Sequence, residues 1–170
     1  LFNLLETCES LKNLNSLSEE ILDEIIVRSC SSKAEIVALD EHESGIRAIL
    51  NYGHTFGHVI ENLCGYGTWL HGEAVSMGMV AVGELALQLH SWTKEEAHKQ
   101  KLLLSKAGLP TKWPSISKDD VLISLQADKK VKDGKICFVI PKRIGKVEIR
   151  NDVDTNYIKK CISALIHLDQ

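Results

Sequence analysis

The chain has 170 residues, 44% hydrophobic and 25% charged, with 20 Lys and Arg against 23 Asp and Glu and a net charge of −3. That length is ample for one buried core, and the charge balance lacks the basic surplus of a general nucleic-acid binder. No apolar run approaches the roughly 20 residues of a membrane span, no signal-peptide pattern opens the chain, and five cysteines without CxxC spacing read as reduced thiols.

The elements follow in chain order. Leu1 stands in mid-pattern without an initiator Met, so the sequence reads as a piece of something longer. Ser18-Glu19-Glu20 caps a run in which Ile21, Leu22, Ile25 and Ile26 recur at helical spacing, continuing through Lys33 to about Asp40. A second helix is predicted from Ser44 to Leu63, with Ile46, Ile49, Leu50, Phe56 and Ile60 on its apolar stripe. Gly65-Tyr66-Gly67 breaks it, because glycine lowers helix propensity and admits turn geometries. A third helix, from about Gly72 to Leu89, is apolar nearly all round and is therefore expected at the centre. Thr93-Lys94-Glu95-Glu96 fits a capping box for a helix that Gly108-Leu109-Pro110 stops near Ala107. Ser117 opens a short helix to about Ala127.

The period then changes. Ile136 to Ile140 and Val147 to Ile149 are apolar and β-branched, with Pro141 to Gly145 between them, which predicts a small hairpin. A last helix begins near Asp154 and carries Ile158, Ile162, Leu165 and Ile166. The expected fold is mainly α, one multi-helix domain over residues 1–170 with a minor β-hairpin.

The segment from Arg47 to Glu73 carries the chemistry. His54 and His58 stand four apart, so a helix places both imidazoles on one face. Neutral imidazole is a common transition-metal ligand, and two at this spacing can contribute to one site. Arg47, Asn51 and His54 have the i, i+4, i+7 relation of the same stripe, so one face would offer a guanidinium, an amide and two imidazoles. Those groups suit an oxygen-rich anion bound beside a metal. His71 follows the glycine break, where a chain folding back approaches His54.

A structural reading competes at each position. A lone histidine on a helix is usually solvated or satisfied in the core, and a pair without a third ligand is mostly structural. Gly53 and Gly57 serve either close helix packing or the approach of a ligand to the backbone; glycines inside a helix cost about 1 kcal/mol each against alanine, so something must offset them. Asp128-Lys129-Lys130 is either a solvated charge run or a phosphate-neutralising segment, a task that suits a point cation on a flexible stem. Lys33 and Glu43 are exposed helix charges by default and polar site members if the fold turns them inward.

Taken together, Glu43-Ser-Gly-Ile-Arg47, Asn51-Tyr-Gly-His-Thr-Phe-Gly-His58 with Glu61, His71-Gly-Glu-Ala-Val75 with Met79, and Asp128-Lys129-Lys130 resemble the 3-dehydroquinate synthases. The resemblance extends through Gly108-Leu109-Pro110 and the Ile144-Gly145 turn, and so covers nearly the whole chain. It implies the helical C-terminal half of a two-domain α/β plus α enzyme, whose other half binds NAD. It also implies a divalent metal, Zn or Co, held by one glutamate and two histidines. His54 and His71 match the histidines, and the glutamate belongs to a stretch upstream of Leu1. Glu73, at a helix start, is expected to serve the helix dipole instead.

By the same resemblance, His58 contacts phosphate and assists proton movement. Arg47 and Lys33 bind the substrate carboxylate side, Asn51 lies near the phosphate, and Glu43 orients its basic neighbours. Lys129 is taken as the phosphate-binding lysine, with Lys130 as the alternative. The implied substrate is a phosphorylated sugar acid, 3-deoxy-D-arabino-heptulosonate 7-phosphate. The implied setting is a cytoplasmic homodimer (plastid in a plant or alga) without nucleic-acid or membrane partners. Two other readings stay open: an iron-dependent alcohol or glycerol dehydrogenase, and a non-catalytic helical module that keeps the site residues only as packing.

Overall fold

The computed structural model describes residues 1–42, 45–127 and 136–167. Seven α-helices are described: α1 (Phe2–Thr7), α2 (Glu19–Leu39), α3 (His54–Cys64), α4 (His71–Gln88), α5 (Lys94–Lys106), α6 (Lys118–Ala127) and α7 (Thr155–His167). A two-stranded antiparallel ribbon, β1 (Phe138–Arg143) and β2 (Lys146–Arg150), lies between α6 and α7. The mainly helical architecture with one small hairpin is as expected. No described helix is long and apolar enough to cross a membrane.

The central place of α4 follows from its sequence. A helix apolar on all sides must be covered on all sides, and α4 packs against α3, α5, α7 and β1. Its Met77, Ala81 and Leu85 meet Phe56 and Ile60 of α3, Val121 and Leu125 of α6, Phe138 and Ile140 of β1, and Ile158 and Ile162 of α7 in one core. Phe56 stands edge-on to Trp113 at 5.9 Å and tilted against Phe138 at 5.6 Å, contacts worth about 0.5–1.5 kcal/mol each beyond their area.

The predicted 44–63 helix is divided. Residues Ile46–Asn51 form a 3-10 turn, Tyr52 is extended, and Gly53 takes φ +80° before α3 begins at His54. The break has a tertiary cause. A Cβ on Gly53 would lie 2.8 Å from the Val75 carbonyl oxygen, and one on Gly57 would lie 3.2 Å from Val75 Cα. On α4, a Cβ on Gly78 would lie 2.0 Å from the Gly53 carbonyl oxygen. Glycine on both partners lets the backbones of α3 and α4 touch, so Gly53 and Gly57 serve packing.

The hairpin is longer than its apolar run. Pro141 pairs with Val147 inside the ribbon, leaving Ile144-Gly145 as the turn with Gly145 at φ +82°. In a two-stranded ribbon each strand has a free edge, so proline is tolerated there. Helix α2 runs 21 residues without burying one, and it packs on the 3-10 turn.

Candidate active site

The site is built at the elbow between the 3-10 turn and α3. His54 opens α3, His58 follows one turn later, and the chain turns back through Gly65 to Leu70 so that His71 opens α4. Ring centroids are 5.2 Å apart for His54 and His71, 5.7 Å for His54 and His58, and 6.1 Å for His58 and His71. The structure therefore brings the three sequence-predicted histidines into one triangle. Glu73 accepts a hydrogen bond from the Leu70 N–H at 2.8 Å, which makes it a helix-start residue as expected.

Hydrogen bonds orient two of the rings. His54 Nδ1 is 3.3 Å from the Tyr52 carbonyl oxygen, and His71 Nδ1 is 2.9 Å from Glu61 Oε1. Metal-binding histidines typically place one ring N–H on a carbonyl or carboxylate and present the other nitrogen to the ion, so both rings suit that use. Among the described residues, no group of three His, Cys, Asp or Glu side chains converges closely enough to hold a metal. Catalytic zinc sites usually take three protein ligands, and the His54 and His71 rings, 5.2 Å apart, would offer two of them.

Tyr52 braces the elbow. Its hydroxyl donates to Gln100 Oε1 at 2.6 Å, and Gln100 Nε2 donates to the Met79 carbonyl at 3.0 Å, tying the elbow to α5 and α4. Burial raises the phenol well above its ordinary pKa, against a smaller opposing effect of the Gln100 hydrogen bond. Tyr52 and Glu61 both lie inside the motifs read from the sequence, but their roles depend on partners distant in the chain.

The remaining predicted residues divide into two groups. Arg47 is half-buried; its N–H donates to Asp40 Oδ2 at 3.0 Å and its guanidinium to the Glu41 carbonyl. The break at Gly53 means that Arg47, Asn51 and His54 do not share one helical stripe, which corrects that expectation. Asn51 is half-buried at the end of the 3-10 turn, and Lys33 is exposed on α2. Glu43, Lys129 and Lys130 lie outside the described residues.

An open cleft of about 510 Å³ adjoins His58, with Glu61, Asn62, Tyr66, Ser124 and Ala127 also on its walls. Asn62 Nδ2 donates to Ser124 Oγ at 3.3 Å across it. Thr55, beside His54, donates to the Cys137 carbonyl at 3.2 Å.

Comparison with known proteins adds to this geometry. A family model described as 3-dehydroquinate synthase C-terminal matches residues 1–131. A curated 3-dehydroquinate synthase from Prochlorococcus marinus (strain MIT 9313) is 57% identical over 165 residues, covering 97% of this chain and 44% of the relative. One from Synechococcus sp. (strain CC9605) is 56% identical with the same coverage. The chain thus spans less than half the length of these relatives.

Among solved structures, ValA, a 2-epi-5-epi-valiolone synthase from Streptomyces hygroscopicus subsp. jinggangensis 5008 with NAD+ and Zn2+ bound, superposes with TM-score 0.85 at 23% identity, covering 98% of this chain and 46% of that one. A 2-deoxy-scyllo-inosose synthase complexed with carbaglucose-6-phosphate, NAD+ and Co2+ gives 0.73 at 23% identity, covering 95% and 50%. These likenesses show a shared fold. With a family match from residue 1 to 131 and relatives above half identity over nearly its whole length, the chain belongs to the 3-dehydroquinate synthase C-terminal family.

Proposed function

We propose that this chain is the metal- and substrate-binding part of a 3-dehydroquinate synthase, a carbon–oxygen lyase that converts 3-deoxy-D-arabino-heptulosonate 7-phosphate to 3-dehydroquinate and inorganic phosphate. The observation that carries the reading is the pairing of His54 and His71 at 5.2 Å, each with Nδ1 against a protein acceptor. Two imidazoles so oriented fit a divalent ion, zinc or cobalt. The third ligand is the glutamate that the family resemblance places upstream of Leu1.

When bound, the ion supplies Lewis-acid polarisation of substrate oxygens, and NAD, held by the other half of the enzyme, supplies reversible hydride acceptance. This chain's own residues position the substrate. Its two anionic ends need fixed cations before reaction. Arg47 and Lys33 take the carboxylate side, and Glu43 orients them. Asn51 and Lys129 take the phosphate, while His58 holds or releases a proton at its ring nitrogen as phosphate departs. The assignment of Lys129, like that of Glu43, rests on the family resemblance.

The net reaction releases phosphate and leaves NAD unchanged, which separates it from the dehydrogenase alternative. The test uses the full-length protein. Phosphate release should stop when the metal is chelated and resume with added zinc or cobalt, without net NADH. Accumulation of NADH, or turnover indifferent to chelation, contradicts the proposal. The same reading places the protein in the cytoplasm as a homodimer, a state that light scattering measures directly.

A further inference from the structure

Glu61 lies on the same face of α3 as His54 and His58, at i+7 and i+3 from them. Its side chain is only 17% exposed, whereas the His71 ring it meets is 57% exposed. Among the described residues, His71 is the only hydrogen-bond partner of its carboxylate, and no Lys or Arg pairs with it. A carboxylate held mostly out of water loses hydration that a single imidazole N–H only partly replaces. A placement of that kind calls for a function.

The three histidines differ in a telling way. His54 and His71, the two assigned to the metal, each have Nδ1 within 3.3 Å of an acceptor, the Tyr52 carbonyl and the Glu61 carboxylate respectively. No hydrogen-bond partner is found for His58 among the described residues, and His58 is the histidine assigned to substrate. A carboxylate on Nδ1 fixes the proton there, orients the ring, and raises the basicity of the other nitrogen. Main-chain geometry does this for His54. Among the described residues, no carbonyl serves the purpose for His71, at the exposed start of α4, and a side chain from α3 reaches it instead.

We propose that Glu61 is a positioning residue for the metal centre. Its carboxylate holds the Nδ1–H of His71 so that Nε2 is presented to the ion. The inference rests on the assignment of His71 as a metal ligand, and the test separates the two claims.

In the full-length enzyme, zinc affinity is measured by competition with a chelator, and the cobalt-substituted protein is examined by visible absorption. Glu61→Ala should weaken metal binding by about 10–100-fold and alter the cobalt spectrum. Saturating metal should restore most of kcat, because Glu61 acts through His71 and not on substrate. Glu61→Gln, nearly isosteric and still an acceptor through its amide oxygen, should recover part of the affinity, and it keeps the test decisive if the alanine variant fails to fold. Wild-type affinity and an unchanged cobalt spectrum in both variants would overturn the proposal. So would loss of metal that no concentration reverses, since that would make Glu61 a ligand itself. His71→Ala tells the claims apart: undiminished metal affinity there removes the ligand assignment, whereas its loss beside an unaffected Glu61 variant removes only the inference about Glu61.

Discussion

Replacing Gly78 by alanine tests the contact that holds the site together. In the middle of a helix such a change ordinarily stabilises by about 1 kcal/mol. Here the new Cβ would sit 2.0 Å from the Gly53 carbonyl oxygen and 2.8 Å from the Gly57 nitrogen. Those two atoms form the first hydrogen bond of α3, at 2.9 Å. A carbon–oxygen contact tolerates an approach of about 3.3 Å, so the α3 backbone must retreat by more than an ångström at that point. No side-chain rotation relieves the clash, because the obstructing atoms are main chain. Overpacking of this kind costs about 1–3 kcal/mol or more, and the retreat also strips contacts from buried Phe56 and Ile60. We expect a net loss of about 2 kcal/mol or more in urea unfolding of the chain followed by far-UV circular dichroism. His54 moves with α3 while His71 stays with α4, so the full-length variant should also hold metal less tightly. Gly72→Ala is the control, since nothing lies within 4 Å of its added Cβ, and it should change stability by no more than about 1 kcal/mol. A Gly78→Ala chain as stable as the wild type, or more so, would refute the close-contact account.

Other expectations follow from the same geometry. Tyr52→Phe strands Gln100 Oε1 and should cost about 1–2 kcal/mol; burial raises the Tyr52 phenol, so its contribution to stability is full below the unfolded tyrosine pKa of about 10 and declines as pH rises above it, a slope that unfolding at several alkaline pH values measures and that Tyr52→Phe should flatten. Native thiol labelling should modify exposed Cys30 readily, while Cys161, 0% exposed and with its pKa pushed up by burial, reacts only as the chain unfolds; equal labelling rates would contradict the packing of α7 on α4. Zinc added to the 170-residue chain alone should bind weakly, because the proposed ligands His54 and His71 make only two of the usual three, and tight stoichiometric uptake would contradict that ligand count.

Local signals were the ones the sequence made readable. Ser18 and Thr93 accept from N–H groups three residues on, at 3.4 and 3.2 Å, as their capping patterns predict. Glu96 departs from the capping-box reading, since its carboxylate takes the Thr93 hydroxyl and the Ile144 N–H. The pairing of His54 with His58 is also local, a matter of helical period. The split at Gly53 was hidden because its cause is Gly78, 25 positions away in the chain. Helix α1 is six residues long, too short for a period to be seen. Pro141 looked like turn chemistry, and only the pairing with Val147 shows it to be strand. The tasks of Glu61 and Tyr52 likewise depend on partners at 71 and 100, brought near by folding. For Glu43 and Lys129 the family resemblance remains the basis of assignment.

The most direct measurement is turnover of 3-deoxy-D-arabino-heptulosonate 7-phosphate by the full-length protein, with phosphate, 3-dehydroquinate and NADH followed together, in the wild type and in His54→Ala. The account predicts one phosphate per 3-dehydroquinate with no net NADH, and loss of nearly all turnover in the variant. Unchanged turnover in His54→Ala, or NADH accumulating in place of phosphate, would contradict it.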